Sequence, residues 1–244
     1  MYYYILDLGN KQVSKIKEKM EVIMASYGIS GDFGKVSPLS SAYQLAKKAV
    51  EEGYSTIVAV GNTEIINQTA AALINTKSVM GVIPIEADPS ICTLIGSNNY
   101  RDALEVLRMR KVQTIDVGKV EESYFLTEAF LSFDQPMPVV LDFGQFRLGG
   151  EFQKVAIAND NQTKQGFLDG MLTIKIDQPE KRGFWRRFFQ KPLPSSLLFQ
   201  KKVTIETEKE APIYVDKEVV AKTPCQIKII PLALQLVVAR LHLS

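Results

Sequence analysis

Residues 54–96 constrain this chain more than any other stretch. They open with Ser55-Thr56-Ile57-Val58-Ala59-Val60, an apolar, β-branched run without alternation, as expected of a parallel strand buried on both faces. Gly61-Asn62-Thr63-Glu64 then turns into residues 65–74, where Ile66, Ala70 and Leu73 share one helical face. Residues 79–83 read as a second buried strand ending at Pro84, and a loop over 85–90 leads to another apolar helix start at Ile91-Cys92-Thr93-Leu94-Ile95. Strand, helix, strand and helix in that order describe a right-handed βαβ unit. Open α/β sheets bind ligands in the loops at the carboxyl ends of their strands.

The flanking sequence extends this pattern. Residues 2–6 read as a first strand, and residues 15–24 as a helix with Ile16, Met20 and Ile23 inward. A short strand is expected around Phe33, among Gly28, Gly31 and Gly34. Residues 40–52 form a helix capped by Ser40 or Ser41, with Leu45, Ala46 and Ala49 inward and Gly53 closing it. This alternation predicts a doubly wound α/β domain. After a short amphipathic helix over 100–107 the character changes at 109–112. Short strands are expected at 123–132, 139–143, 154–158 and 171–176, punctuated by Pro136, Pro138, Gly144, Gly149, Gly150 and Gly166. That spacing predicts an antiparallel sandwich or barrel. The reading is therefore an α/β domain over 1–110 and an all-β sandwich over 111–244.

The chain has 244 residues, 46% hydrophobic and 23% charged, ordinary for a soluble globular protein. A formal net charge of +2 argues against nucleic acid as a partner, which needs a broad basic surface. Cys92 and Cys225 do not make a disulfide framework and suit a reducing cytoplasm. His242 is the only histidine, so neither a histidine triad nor a zinc site is expected, and no metal site is assigned. The N-terminus lacks the basic and apolar regions of a signal peptide. No apolar run approaches the ~18 residues of a membrane span. A cytoplasmic protein, soluble or peripheral to a membrane, is the expectation.

Four places carry candidate chemistry. Asn62, Thr63 and Glu64 fit an N-cap and first helical turn, as do Asp88 and Pro89 at the next loop. Asp216 and Glu218 lie two apart on a predicted strand, so both point to one side; they fit either a general base with a helper or an ordinary solvated face. Residues 181–202 contain no acidic side chain and include Phe184, Trp185, Arg186, Arg187, Phe188 and Phe189. Basic residues among large aromatics suit an anionic membrane interface, a subunit contact in a homo-oligomer, or a plain loop.

Val58-Ala59-Val60-Gly61, Ile66-Asn67 and Gly81-Val82-Ile83-Pro84-Ile85 resemble the catalytic domain of diacylglycerol and sphingosine kinases, whose fold is related to that of NAD kinase. Ile115-Asp116-Val117-Gly118, Leu168-Asp169-Gly170-Met171-Leu172 and residues 214–220 extend the resemblance over nearly the whole chain. The resemblance implies an ATP- and magnesium-dependent lipid kinase. ATP would meet Gly61, Asn62, Thr63, Glu64 and Asn67, and Asp216 or Glu218 would act on a lipid hydroxyl. The family's Gly-Gly-Asp-Gly-Thr is here Gly61-Asn62-Thr63-Glu64-Ile65, and its Gly-Thr-x-Asn-Asp is Glu86-Ala87-Asp88-Pro89-Ser90. Its Asn-Pro-x-x-Gly turn is Leu8-Gly9-Asn10-Lys11-Gln12. Phosphate cradles need backbone N–H groups free of side chains, and these substitutions add side chains and a carboxylate. The expectation is a degenerate relative that keeps the fold as a lipid-binding, nucleotide-binding or interaction module, with an active ATP-dependent lipid kinase as the alternative.

Overall fold

A computed structural model describes residues 1–159, 166–177, 196–216 and 218–240. The chain begins with β1 (Tyr2–Leu6), α1 (Lys11–Tyr27), β2 (Gly31–Lys35), α2 (Ala42–Glu51), β3 (Thr56–Gly61), α3 (Thr63–Leu73), β4 (Val79–Pro84), α4 (Pro89–Ile95) and α5 (Tyr100–Met109). β1 lies parallel between β2 and β3, and β3 pairs parallel with β4. The order β2-β1-β3-β4 reverses direction at β1, so a crevice opens where the loops after β1 and β3 diverge.

Both faces of this sheet are covered, which is why its strands are apolar without alternation. Ile5, Ile57, Ala59, Met80 and Val82 pack with Ala42, Ala46, Ala49, Ile66, Ala70 and Leu73 of α2 and α3. Tyr4, Leu6, Val58, Val60 and Ile83 pack with Val13, Met20 and Met24 of α1 and Leu104 and Leu107 of α5. α1 starts at Lys11, earlier than its apolar spacing suggests, because Asn10 caps it through the N–H groups of Gln12 and Val13. Its inward residues are Val13, Met20 and Met24, with Ile16 and Ile23 only half-buried. Ser41 caps α2 and forms a capping box with Gln44.

The β-rich region holds β5 (Val112–Val120), β6 (Ser123–Phe125), β7 (Glu128–Asp142), β8 (Arg147–Ala158), a short 3-10 turn (Gly166–Leu168), β9 (Leu172–Asp177), β10 (Ser196–Gln200), β11 (Lys202–Thr207), β12 (Pro212–Val215), β13 (Glu218–Lys222) and β14 (Cys225–Val237). β7 and β8 are long continuous strands, not the shorter pieces that Pro136, Pro138 and the Gly149-Gly150 pair suggest. The register shifts between Ser132 and Met137, and that irregularity takes Pro136 out of the ladder. The inner face buries Leu131, Leu141, Val155, Ile157, Ile174, Val203, Ile213 and Ile227.

β14 joins the two regions. Its first residues pair with β11, β5 runs antiparallel along nearly its whole length, and near its end Leu236 pairs parallel with Met80 of β4. The strands therefore form one hydrogen-bonded sheet. Among the described residues no helix is long and apolar enough to cross a membrane. The aromatic residues 184–189 and His242 lie outside the described residues.

Candidate functional site

The loops after β1, β3 and β4 meet at the carboxyl edge of the parallel strands. Each is built from side chains that hydrogen-bond to the next. Asn62 caps α3, its Oδ1 accepting from the Ile65 N–H at 3.1 Å. Thr63 Oγ1 accepts from the Asp88 N–H at 2.8 Å, tying the β3 loop to the β4 loop. Glu64 accepts from Gln68 Nε2 at 3.1 Å, and Gln68 in turn accepts from the Ala42 N–H at 3.2 Å.

At the β1 loop, Glu86 accepts from Asn10 Nδ2 at 2.9 Å and from Gln12 Nε2 at 3.0 Å. Glu86 adopts a left-handed φ of 57°, unusual for a side chain of its length. Asp88 caps α4 through the Ser90 N–H at 2.8 Å, and its carboxylate also meets the Ser90 hydroxyl. Pro89 follows at the first helical position. Gly61 ends β3 with its carbonyl accepting from the Ile85 N–H at 2.9 Å.

The β12–β13 hairpin reaches this edge from the other region. Val215 pairs with Glu218, so Asp216 stands in the connecting turn and not on a strand. This corrects the expectation that Asp216 and Glu218 share a strand face. A two-residue hairpin turn needs positive φ, which Asp accepts more readily than most residues, and Asp216 has φ 57°. Asp216 Oδ2 accepts from Asn67 Nδ2 at 2.9 Å. Burial raises the proton affinity of its carboxyl; the Asn67 bond opposes this, while Asp88, Glu218 and Glu128 add to it. Glu218 is exposed. The structure thus brings Glu64, Asn67, Asp216 and Glu218 to one place.

A cleft of about 570 Å³ runs along α3 there, lined by Tyr43, Glu64, Asn67, Gln68, Ala71, Ile74, Asn75, Glu122, Ser123, Tyr124, Val215, Asp216, Glu218 and Val220. Four of these carry carboxylates, and none of the described lining residues is Lys or Arg. A phosphate oxygen ~4 Å from one such carboxylate is disfavoured by about 1 to 4 kcal/mol, depending on the effective dielectric. Among the described residues no group of three His, Cys, Asp or Glu side chains is arranged to hold a metal ion. The described lining of this cleft is therefore electronegative.

Sequence reasoning missed Glu86, which ties two loops, and the partnership of Asn67 with Asp216 across 149 positions. A carboxylate placed just after Pro84 was the available signal for the first. The second had none, because no local pattern encodes a contact at that separation. Asp116 is a network residue: almost fully buried, it accepts from the Gly170 N–H at 2.7 Å and the Leu232 N–H at 2.8 Å.

Residues 7–120 match the family model for the diacylglycerol kinase catalytic domain. No curated protein matches the chain by sequence. Among solved structures, a diacylglycerol kinase from Bacillus anthracis str. Sterne superposes with a TM-score of 0.80 at 15% identity, covering 97% of this chain and 96% of that one. A second structure, described as a candidate diacylglycerol kinase of the same organism, gives 0.82 at 15% identity over 99% and 98% of the two chains. At that identity the likeness is one of fold. Residues 7–120 are thus similar in sequence to the diacylglycerol kinase catalytic domain, and the chain as a whole has the fold of these solved structures.

Proposed function

We propose that this protein is a non-catalytic member of the family that keeps the kinase framework as a lipid-binding or interaction module. The observation that carries this reading is the set of side-chain bonds closing the three loops, Thr63 to Asp88 and Asn10 and Gln12 to Glu86, beside a cleft rich in carboxylates. Side chains already hold these loops and engage the N–H groups of Ile65 and Asp88, so a triphosphate entering there would have to displace them. The experiment is incubation of pure protein with labelled ATP, magnesium and mixed lipids, alongside thermal melts with and without ATP. No phosphorylated lipid and no ATP-dependent shift are expected. Turnover abolished by Glu218→Gln overturns the reading.

One observation favours the second reading, an active lipid kinase. Asp216 lies in the cleft with its proton affinity raised by burial, as suits a group that takes a proton from a hydroxyl. The same assay with Asp216→Asn separates the two.

An anionic membrane surface is the partner this reading favours. Residues 181–202 hold lysines and arginines among aromatics and no acidic residue. Leu197 and Phe199 of the sheet-edge strand β10, at the end of that stretch, are exposed. Co-sedimentation with phosphatidylserine vesicles, weakened by salt and absent with phosphatidylcholine, is the expected result. Equal binding to both vesicle types, or none, removes membrane contact and leaves a homo-oligomer contact, read by light scattering.

A further inference from the structure

The strand registers set three lysines in a row. Lys202 of β11 stands directly opposite Lys228 of β14, and Lys228 directly opposite Lys119 of β5. Lys119 in turn pairs with Tyr124 of β6. Residues directly opposite on antiparallel strands point to one face, so the row crosses β11, β14, β5 and β6 with about 5 Å from each strand to the next. The neighbours Val203, Ile227, Ile229 and Val120 are buried in the core of the β-rich region, which sends the lysines to the outer face. Lys202 and Lys228 are exposed there.

Like charges that face each other across a ladder are unfavourable. Lysine on an edge strand hinders unwanted pairing, but β5, β11 and β14 each have a strand on both sides, so edge protection does not account for this row. The carboxylates around it are engaged elsewhere. Glu122 meets Lys119 at 3.4 Å, and Asp142 and Glu206 both pair with Arg147. Among the described residues neither Lys202 nor Lys228 has an ion-pair partner. Only Lys201 separates β11 from β10, where Leu197 and Phe199 are exposed and Leu198 between them packs on the core. One stretch of chain therefore presents two apolar side chains and then a lysine outward.

We propose that the row of Lys119, Lys228 and Lys202, with Leu197 and Phe199 beside it in the chain, is the face that meets an anionic lipid surface. This rests on the membrane partnership proposed above and names the sheet face that carries it. Ammonium groups on long stems reach headgroup phosphates and carboxylates, while Leu197 and Phe199 enter the apolar boundary beneath them. An open sheet face suits a surface better than it suits a small ligand, which takes a pocket. Three lysines in a chain of net charge +2 fall short of the broad basic surface that nucleic acid needs.

Flotation of the full chain with vesicles of phosphatidylserine and phosphatidylcholine tests this. Wild type is compared with Lys202→Gln/Lys228→Gln and with Lys15→Gln/Lys19→Gln, which removes the same charge from the exposed side of α1. Affinity is expected to fall about fivefold for each lysine taken from the row, about 25-fold for the pair. The α1 variant should stay within about twofold of wild type, because salt screens charges remote from the contact. An equal fall in the α1 variant overturns the proposal, since bulk charge then accounts for binding. Undiminished binding by Lys202→Gln/Lys228→Gln also overturns it and leaves the membrane partnership standing; a wild type that binds no anionic vesicle removes both. Lys228→Gln should melt no lower than wild type, because it relieves repulsion from two facing ammonium groups. A lower melting temperature would show that the row serves the fold, and the proposal falls.

Discussion

The hydroxyl of Thr63 accepts the backbone N–H of Asp88 at 2.8 Å, and through that bond the loop after β3 is fastened to the loop after β4. The N–H is partly buried, so removing its acceptor leaves a donor that water reaches poorly. Thr63→Ala is expected to lower stability by about 1 kcal/mol in urea melts. Thr63→Ser, which retains the hydroxyl, should recover most of that loss. Equal losses in the two variants would show that the methyl group, and not the hydrogen bond, matters.

Gly118 of β5 pairs directly with Phe125 of β6, whose ring lies across it. A Cβ at Gly118 would stand 2.2 Å from Phe125 Cζ, with other ring carbons at 2.3 and 2.6 Å. The ring is 1% exposed and packed within the core of the β-rich region, where interiors are close-packed. Gly118→Ala should therefore cost about 1 to 3 kcal/mol by overpacking. Gly118→Ala combined with Phe125→Leu should cost less than the two single changes added together, which thermal melts of all three variants measure.

The parallel half of the fold was legible because its signals are local. Buried parallel strands need unbroken apolar runs such as 56–60, and caps such as Asn62, Asp88 and Ser41 announce helix starts a few residues ahead. The antiparallel half was less so. Pro136 reads as a strand break, yet a register irregularity absorbs it within β7. Asp216 and Glu218 read as one strand face because alternation says nothing about where a hairpin turns. Glu86 escaped notice because its role depends on Asn10 and Gln12, more than seventy positions away. Long-range hydrogen bonds of that kind leave no trace in periodicity.

Asp116 gives a pH dependence of definite sign. Burial raises its proton affinity above the ordinary carboxylate value, and the two N–H groups of Leu232 and Gly170 offset part of that rise. The folded state then holds the Asp116 proton more tightly than the unfolded chain does. As pH rises from the ordinary carboxylate value, the unfolded chain ionises first and stability is lost until the folded carboxyl has also ionised. The difference in stability between wild type and Asp116→Asn should fall across that window and then stay level, as read by urea melts at several pH values. A difference that rises with pH would reverse the assignment of burial as the dominant cause.

Restoring the family's loop is the sharpest test of what closes the crevice. The triple change Asn62→Gly, Thr63→Asp and Glu64→Gly removes the α3 cap, the tie to Asp88 and one carboxylate together. The lost cap alone should cost only about 0.3 kcal/mol, since glycine is tolerated at that position, and the lost tie about 1 kcal/mol more. ATP affinity should not appear. Glu86 would still bridge Asn10 and Gln12, and Glu122, Asp216 and Glu218 would still line a cleft whose described residues include no cation. Thermal melts of the variant with magnesium-ATP should match those without it. A saturable upward shift in the variant alone would mean that residues 62–64 are the whole barrier, and that the surrounding carboxylates are too well screened to oppose a triphosphate.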